Sequence, residues 1–339
     1  MESRNMFDWL NALKNSKIKK SMPILSSPAV QLLDCSVKDL VSNSEIQAQG
    51  MKKIADITPS LASVSLMDLS VEAECFGSPI SVSENEIPTV TDKIVSSLEE
   101  AQALRIPEVG EKRTGIYVDA IKKAKELITD RPVFAGVIGS FSLAGRLVDV
   151  TEGLVYCYTD PDLLHAVLEK CTEFLIRYIT AYKNVGADGI VIAEPLAGLL
   201  SPDLAAEFSE PYIRKIVEAV QDESFLVIYH NCGNTALQIV DSILRTGAAA
   251  YHFGNAIDIS EMLEHIPADT VVMGNIDPVS EFKNGTPESI RTATIELLRK
   301  CDRHSNFVIS SGCDIPPQAK WENIHAYYQA ISDFYAEKK

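Results

Sequence analysis

Short apolar runs rich in β-branched residues alternate along this chain with longer stretches in which apolar residues recur every three to four positions. Eight of the short runs read as strands: Pro23–Ser26, Ala62–Met67, Val133–Ile138, Gly189–Ala193, Phe225–Tyr229, Ala248–Phe253, Thr270–Met273 and Phe307–Ile309. FLVIY and GIVIA are apolar without interruption, which suits parallel strands covered on both faces better than strands with one wet face. The clearest helix starts at Asp160-Pro161, a capping side chain followed by proline in the first turn. It sets Leu164, Val167, Leu168, Cys171, Leu175, Tyr178 and Tyr182 on one stripe before Gly186 ends it. GIVIA follows after a short turn, so helix and strand form one repeating unit. Eight strands in such units predict an α/β fold, a (β/α)8 TIM barrel with an elaborated N-terminal region. An open doubly wound sheet uses similar units, and periodicity alone does not separate the two. Neither GxGxxG nor GxxxxGK(S/T) is present to favour nucleotide binding.

Residues 68–131 are too many for one barrel connection, and the Pro-punctuated SPISVSENEIPTVTD precedes a helix expected over about Tyr117 to Thr129. This segment is expected to form an elaborated connection over one barrel mouth. No repeat or Gly/Ser linker divides the chain, so residues 1–339 read as one domain.

Composition narrows the class of partner. With 46% hydrophobic residues the chain has ample material for a core, while 31 Lys plus Arg against 47 Asp plus Glu leave a net charge of -16. Such a surface repels phosphate backbones and anionic lipid, which argues against nucleic acid and membrane partners. In MESRNMFDWLNALKNSKIKK polar residues interrupt each apolar stretch before a signal core or span forms, so a cytoplasmic location is expected. The seven cysteines, at 35, 75, 157, 171, 232, 301 and 313, are odd in number and scattered, which predicts reduced thiols.

His230 and Cys232 stand two apart at the end of FLVIYH, and an extended backbone through Asn231 puts both side chains on one face. Cys313, in VISSGCDIPP, holds the equivalent place after the last strand. The C-terminal strand ends of a barrel are where catalytic groups gather, so three donors can converge there. A Cys2His set leaves one tetrahedral position open, as in catalytic zinc sites, and its two thiolates and neutral imidazole cancel the charge of Zn2+. A thiol entering the open position can be held deprotonated and still attack an electrophilic methyl group. The competing reading is that buried cysteines are small hydrophobes, and a lone HxC is weak evidence for a metal. Cys35, Cys75, Cys157, Cys171 and Cys301 are expected to be structural. Glu194, closing GIVIAE, either fills the open metal position at rest, accepts the thiol proton, or is a solvated loop carboxylate. Asn275 and Asp277 in MGNIDP either orient substrate or form an Asx turn before Pro278. His252 in AYHFGN either faces the mouth or packs.

Five stretches taken together resemble the uroporphyrinogen decarboxylase superfamily: VFAGVIGSFSLAGRLVD, GADGIVIAEPLAGLLSP, VIYHNCGNTALQIVDSILRTGA, VMGNIDPVSEFKNGTPESI and FVISSGCDIPPQAKWENIHAY. They span most of residues 133 to 328. HNC followed far downstream by SGC resembles the methylcobamide:coenzyme M methyltransferase branch, and His230, Cys232 and Cys313 match that branch's zinc ligands. The resemblance implies a zinc barrel enzyme moving a methyl group from a methylated corrinoid, carried by a partner protein, to a small thiol such as coenzyme M. The decarboxylase branch resembles the same stretches but holds substrate carboxylates with an N-terminal arginine cluster. Here no arginine lies between Arg4 and Arg105, so a tetrapyrrole decarboxylase is the alternative reading. A noncatalytic corrinoid- or metal-binding protein is the third, because binding and catalysis use the same donors.

Overall fold

In the computed structural model, which describes residues 4–338, the apolar runs become nine strands. They are β1 Ser63–Val64, β2 Ile80–Ser81, β3 Thr89–Val90, β4 Val133–Ile138, β5 Gly189–Ala193, β6 Leu226–Asn231, β7 Ala250–Phe253, β8 Val271–Ile276 and β9 Phe307–Ser311. Seven pair side by side in the order β1-β4-β5-β6-β7-β8-β9, all parallel, and β2 with β3 forms a separate antiparallel hairpin. Each parallel pair is joined through helices, as the crossover between parallel strands requires.

The eighth expected strand, Pro23–Ser26, is extended chain rather than a regular strand. It nevertheless spans the gap between the sheet's edges. Met22 N donates to Ile309 O at 3.2 Å, Leu61 N donates to Ser21 O at 2.9 Å, and Ile24 N donates to Ser311 Oγ at 3.0 Å. Pro23 has no N–H to give, so a regular ladder cannot run through it. At the other edge β1 is shorter than the expected Ala62–Met67. The Ser65 hydroxyl accepts from Gly136 N at 2.9 Å, where a main-chain carbonyl would otherwise continue the ladder. The result is a curled parallel sheet with TIM-barrel architecture.

Side chains alternate across this sheet as the pleat dictates. Val64, Phe134, Val191, Ala193, Ile228, Ala250, Val271, Met273 and Val308 point inward and pack with Met22 and Ile24. Ala135, Ile190, Ile192, Val227, Tyr251, Phe253, Val272 and Ile309 point outward against the helices. The helix Met6–Asn15 places Met6, Leu10 and Leu13 in the inner cluster, and its Met6 N donates to Glu223 O at 2.7 Å, just ahead of β6. It therefore plugs the N-terminal end of the barrel and leaves the C-terminal end for chemistry.

The long helix runs Pro161–Asn184, with the Asp160 carboxylate accepting from Leu163 N at 3.2 Å and the whole expected stripe buried. Residues 68–131 carry structure of their own: the helices Val71–Phe76, Leu98–Ala103 and Thr114–Leu127, and the β2–β3 hairpin. No helix among the described residues is long and apolar enough to cross a membrane.

Candidate metal centre

The inward side of β6 reads Ile228, His230 and then, past the strand end, Cys232. The intervening Asn231 faces outward and locks the extended path. Its Nδ2 donates to Glu194 O at 3.1 Å and to Tyr229 Oη at 3.2 Å, while its Oδ1 accepts from Gly233 N at 2.9 Å. Cys313 arrives from β9, where Gly312 N donates to Ile276 O at 2.6 Å and fixes the chain as it leaves the barrel. The donor atoms of His230, Cys232 and Cys313 all lie within 4.8 Å of one another. His230 is buried, and the two thiols are partly open to the mouth.

The His230–Cys313 pair has the spacing of a tetrahedral zinc site, with Cys232 within 4.8 Å of both. Zn–N and Zn–S bonds of about 2.1 and 2.3 Å at the tetrahedral angle put nitrogen and sulfur roughly 3.6 Å apart. His230 Nε2 and Cys313 Sγ are 3.6 Å apart. Three protein donors leave the fourth position for a substrate. The thiols also differ in acidity: Cys232 is drawn below the usual thiol range by the Cys313 thiol donating toward it, while that interaction and burial push Cys313 up to about 12. A divalent cation binds thiolates, so metal binding at this pair would release protons.

Gly254 admits the close approach. It follows β7 beside Cys232, and a Cβ there would lie 2.5 Å from Cys232 Cβ and 2.6 Å from Cys232 Cα. Asn275, inward-facing and opposite Ser310 in the β8–β9 register, donates through Nδ2 to Gly254 O and Ile257 O, both at 2.9 Å. Its side chain thus anchors the turn that packs on Cys232. Asp277 accepts from Val279 N and Ser280 N through Oδ1, both at 2.8 Å, which is the Asx-turn arrangement.

Glu194 does not belong to the donor group. Ala193 occupies the inward position paired with His230, so the next residue turns outward toward the helices. Its carboxylate accepts from Phe141 N at 3.0 Å and Ser142 N at 2.6 Å, at the first turn of the helix Ser140–Val148. Burial raises it to about 7 against the pull of those donors. Of the readings the sequence left open, the side chain takes neither a place beside the three donors nor that of a solvated loop carboxylate: it is buried and caps a helix, because strand parity directs it to the opposite face.

His252 is the residue the sequence left undecided. The β6–β7 register sets it opposite His230, with the two Nδ1 atoms 2.8 Å apart. Its Nε2 lies 2.8 Å from Ser310 Oγ. Burial and the neighbouring His230 hold it well below the ordinary histidine range, so it is neutral. The available signal was a second histidine at the same depth of an adjacent inward-facing strand. Cys75, Cys157, Cys171 and Cys301 are buried and Cys35 is partly buried, and none belongs to the donor group.

The family model for uroporphyrinogen decarboxylase matches residues 24–334. The chain belongs to the uroporphyrinogen decarboxylase family. Within this family, the methylcobamide:CoM methyltransferases of Methanosarcina mazei and Methanosarcina acetivorans are 30% and 28% identical to it over 274 residues, 79% of this chain and 78% of theirs. The uroporphyrinogen decarboxylase of Coxiella burnetii is 26% identical over 288 residues, 81% of this chain and 78% of its own. A solved methyltransferase structure from Methanosarcina mazei shares the fold at a TM-score of 0.85 and 24% identity, covering 98% of this chain and 99% of that one. Two chemistries therefore occur among similar relatives.

Proposed function

We propose that this chain is a zinc-dependent methyltransferase that moves a methyl group from a methylated corrinoid, carried by a partner protein, to a small thiol such as coenzyme M. The observation that carries the reading is the convergence of one imidazole and two thiols on a single point at the barrel mouth. The arginine cluster that the decarboxylase resemblance implies is absent between Arg4 and Arg105, and the relatives named as methylcobamide:CoM methyltransferases support the same choice.

His230, Cys232 and Cys313 would hold the ion. Zinc, when bound, would supply the Lewis acidity that keeps an incoming thiol deprotonated near neutral pH. Around it Gly254 gives Cys232 room, Asn275 fixes residues 254–257, and Glu194 ties the end of β5 to the helix Ser140–Val148. Methyl transfer then forms a sulfur–carbon bond as the cobalt–carbon bond breaks, with its electron pair left on cobalt. The thiol proton leaves through the open mouth. Leu199 and Val279, each about half exposed, stand in the turns that follow β5 and β8. They offer apolar contact to a docking protein. The net charge of -16 disfavours nucleic acid and anionic membranes as partners, and a cytoplasmic location accords with the reduced cysteines.

Turnover with methylcobalamin as donor and a panel of thiols tests the reading. The expected result is zinc-dependent loss of methylcobalamin absorbance with a stoichiometric methyl thioether. Release of CO2 from a porphyrinogen without methyl transfer would establish the decarboxylase instead. Corrinoid binding without either product would leave a binding protein.

A further inference from the structure

The inner face of the barrel below the metal donors carries a chain of four polar groups that the proposed chemistry does not itself require. It starts at Met22 O, which accepts from Ser310 Oγ at 2.7 Å. Ser310 Oγ meets His252 Nε2 at 2.8 Å, and His252 Nδ1 meets His230 Nδ1 at 2.8 Å. The chain ends at His230 Nε2, which faces Cys313 Sγ. All three side chains are buried, so water does not compete for these contacts.

A carbonyl oxygen only accepts, and a serine hydroxyl has one proton. That proton is committed to Met22 O, so Ser310 Oγ is left as an acceptor and His252 must donate to it through Nε2–H. A neutral imidazole with its proton on Nε2 presents a lone pair at Nδ1. Two nitrogens 2.8 Å apart share one proton, which must then come from His230 Nδ1–H. His230 Nε2 is left with its lone pair aimed at the metal position. Reversal of the chain at any link would put a proton on Nε2, where the metal must bind.

We propose that His252 and Ser310 are positioning residues that fix the proton of His230 on Nδ1, making Nε2 a ready metal donor before any ion arrives. The inference rests on the metal-site reading above. In metal proteins a ligating histidine commonly gives its second N–H to a carboxylate, carbonyl or water, and loss of that acceptor costs about 10- to 100-fold in metal affinity. Here a second imidazole takes that role, with its own orientation set by a backbone carbonyl from the segment that closes the barrel.

The test uses the full-length protein labelled with 15N-histidine. Two-bond proton–nitrogen correlation spectra of the zinc-free wild type should show His230 protonated at Nδ1 and His252 at Nε2. His230 protonated at Nε2 would overturn the proposal without any variant being made. Chelator competition should then show His252→Leu binding zinc about 10- to 100-fold more weakly than wild type. His252→Asn, whose amide oxygen lies near the position of Nδ1, should recover a large part of that loss. A His252→Leu protein that stays folded and binds zinc as tightly as wild type would also overturn it. Zinc retention unchanged in Cys313→Ala would instead sink the metal-site reading, while the spectra would still decide the proton arrangement.

Discussion

Alanine at position 254 is a steric probe of Cys232 that leaves all three proposed donor residues unchanged in sequence. The added Cβ would lie 2.5 Å from Cys232 Cβ, 2.6 Å from Cys232 Cα and 3.2 Å from Gly312 O. Carbon atoms in ordinary contact sit about 3.5–4.0 Å apart, so the two chains must separate by about 1 Å. None of these atoms is the free end of a side chain. Gly254 N is itself bonded to Asn231 O at 3.0 Å, which leaves Cys232, beyond the end of β6, as the part that yields. Metal–ligand distances tolerate only about 0.2 Å. Overpacking of this kind costs about 1–3 kcal/mol. If that strain is relieved in the free protein and imposed again by the ion, zinc binding weakens by about 5- to 150-fold. Chelator competition measures the affinity, and circular dichroism checks that the barrel is intact. Gly153→Ala is the control, because its Cβ would meet the Val148 Cγ2 methyl at 3.3 Å and Gly145 Cα at an ordinary 3.6 Å, and a helix gains from alanine. An unchanged zinc affinity in folded Gly254→Ala would refute the placement of Cys232 in the site.

Three further outcomes follow from the same structure. Cys232→Ala and Cys313→Ala should each lose zinc by more than about tenfold, whereas Cys171→Ala, whose thiol is buried on the helix Pro161–Asn184, should keep it; equal retention in all three would remove the cysteines from the site. Burial raises Glu72 from 4.5 to about 8, so the folded state retains a proton that the unfolded chain has released. Its contribution is full below 4.5 and is lost as pH rises through about 8, by at most about 5 kcal/mol. Glu72→Gln should therefore flatten the fall in urea-unfolding stability between about pH 5 and about pH 9, and parallel curves for the two proteins would count against it. Leu199→Asp with Val279→Asp should raise KM for the methylated corrinoid protein by about tenfold or more while leaving free methylcobalamin turnover unchanged; equal effects on both donors would contradict a docking role.

The sequence was most legible where both faces of a strand are apolar. The observed bounds of β4 and β5 coincide with the expected Val133–Ile138 and Gly189–Ala193. It was least legible at the mouth, where β6, β8 and β9 run on through Asn231, Ile276 and Ser311. His230, Asn275 and Ser310 are polar, so the hydrophobic run stops before them, yet the ladder continues and buries them inside the barrel. His230 and Cys232 could be paired because HxC spacing keeps both side chains on one face, and Cys313 was joined to them by its place after the last strand and by the family resemblance. Glu194 could not be oriented, because GIVIA is apolar on both faces and carries no mark of which residues turn inward. The His252–Ser310–Met22 chain was hidden for a different reason. It joins three strand-like segments by register, with Ser310 and Met22 at opposite ends of the sequence, and no local pattern encodes such a contact.

The central claim is that a metal at His230, Cys232 and Cys313 activates a thiol, and calorimetry of thiol binding addresses it without the corrinoid partner. A free thiol has an ordinary pKa of about 8.5, so binding as the thiolate near neutral pH must release nearly one proton. Coenzyme M titrated into zinc-loaded protein, in two buffers of different ionisation enthalpy, should give apparent enthalpies that differ by nearly one proton's buffer heat. Cys313→Ala protein should show little of that difference. Tight binding to the zinc-loaded wild type with no dependence on buffer would mean that the thiol keeps its proton, and the proposed activation would be wrong even with zinc in place.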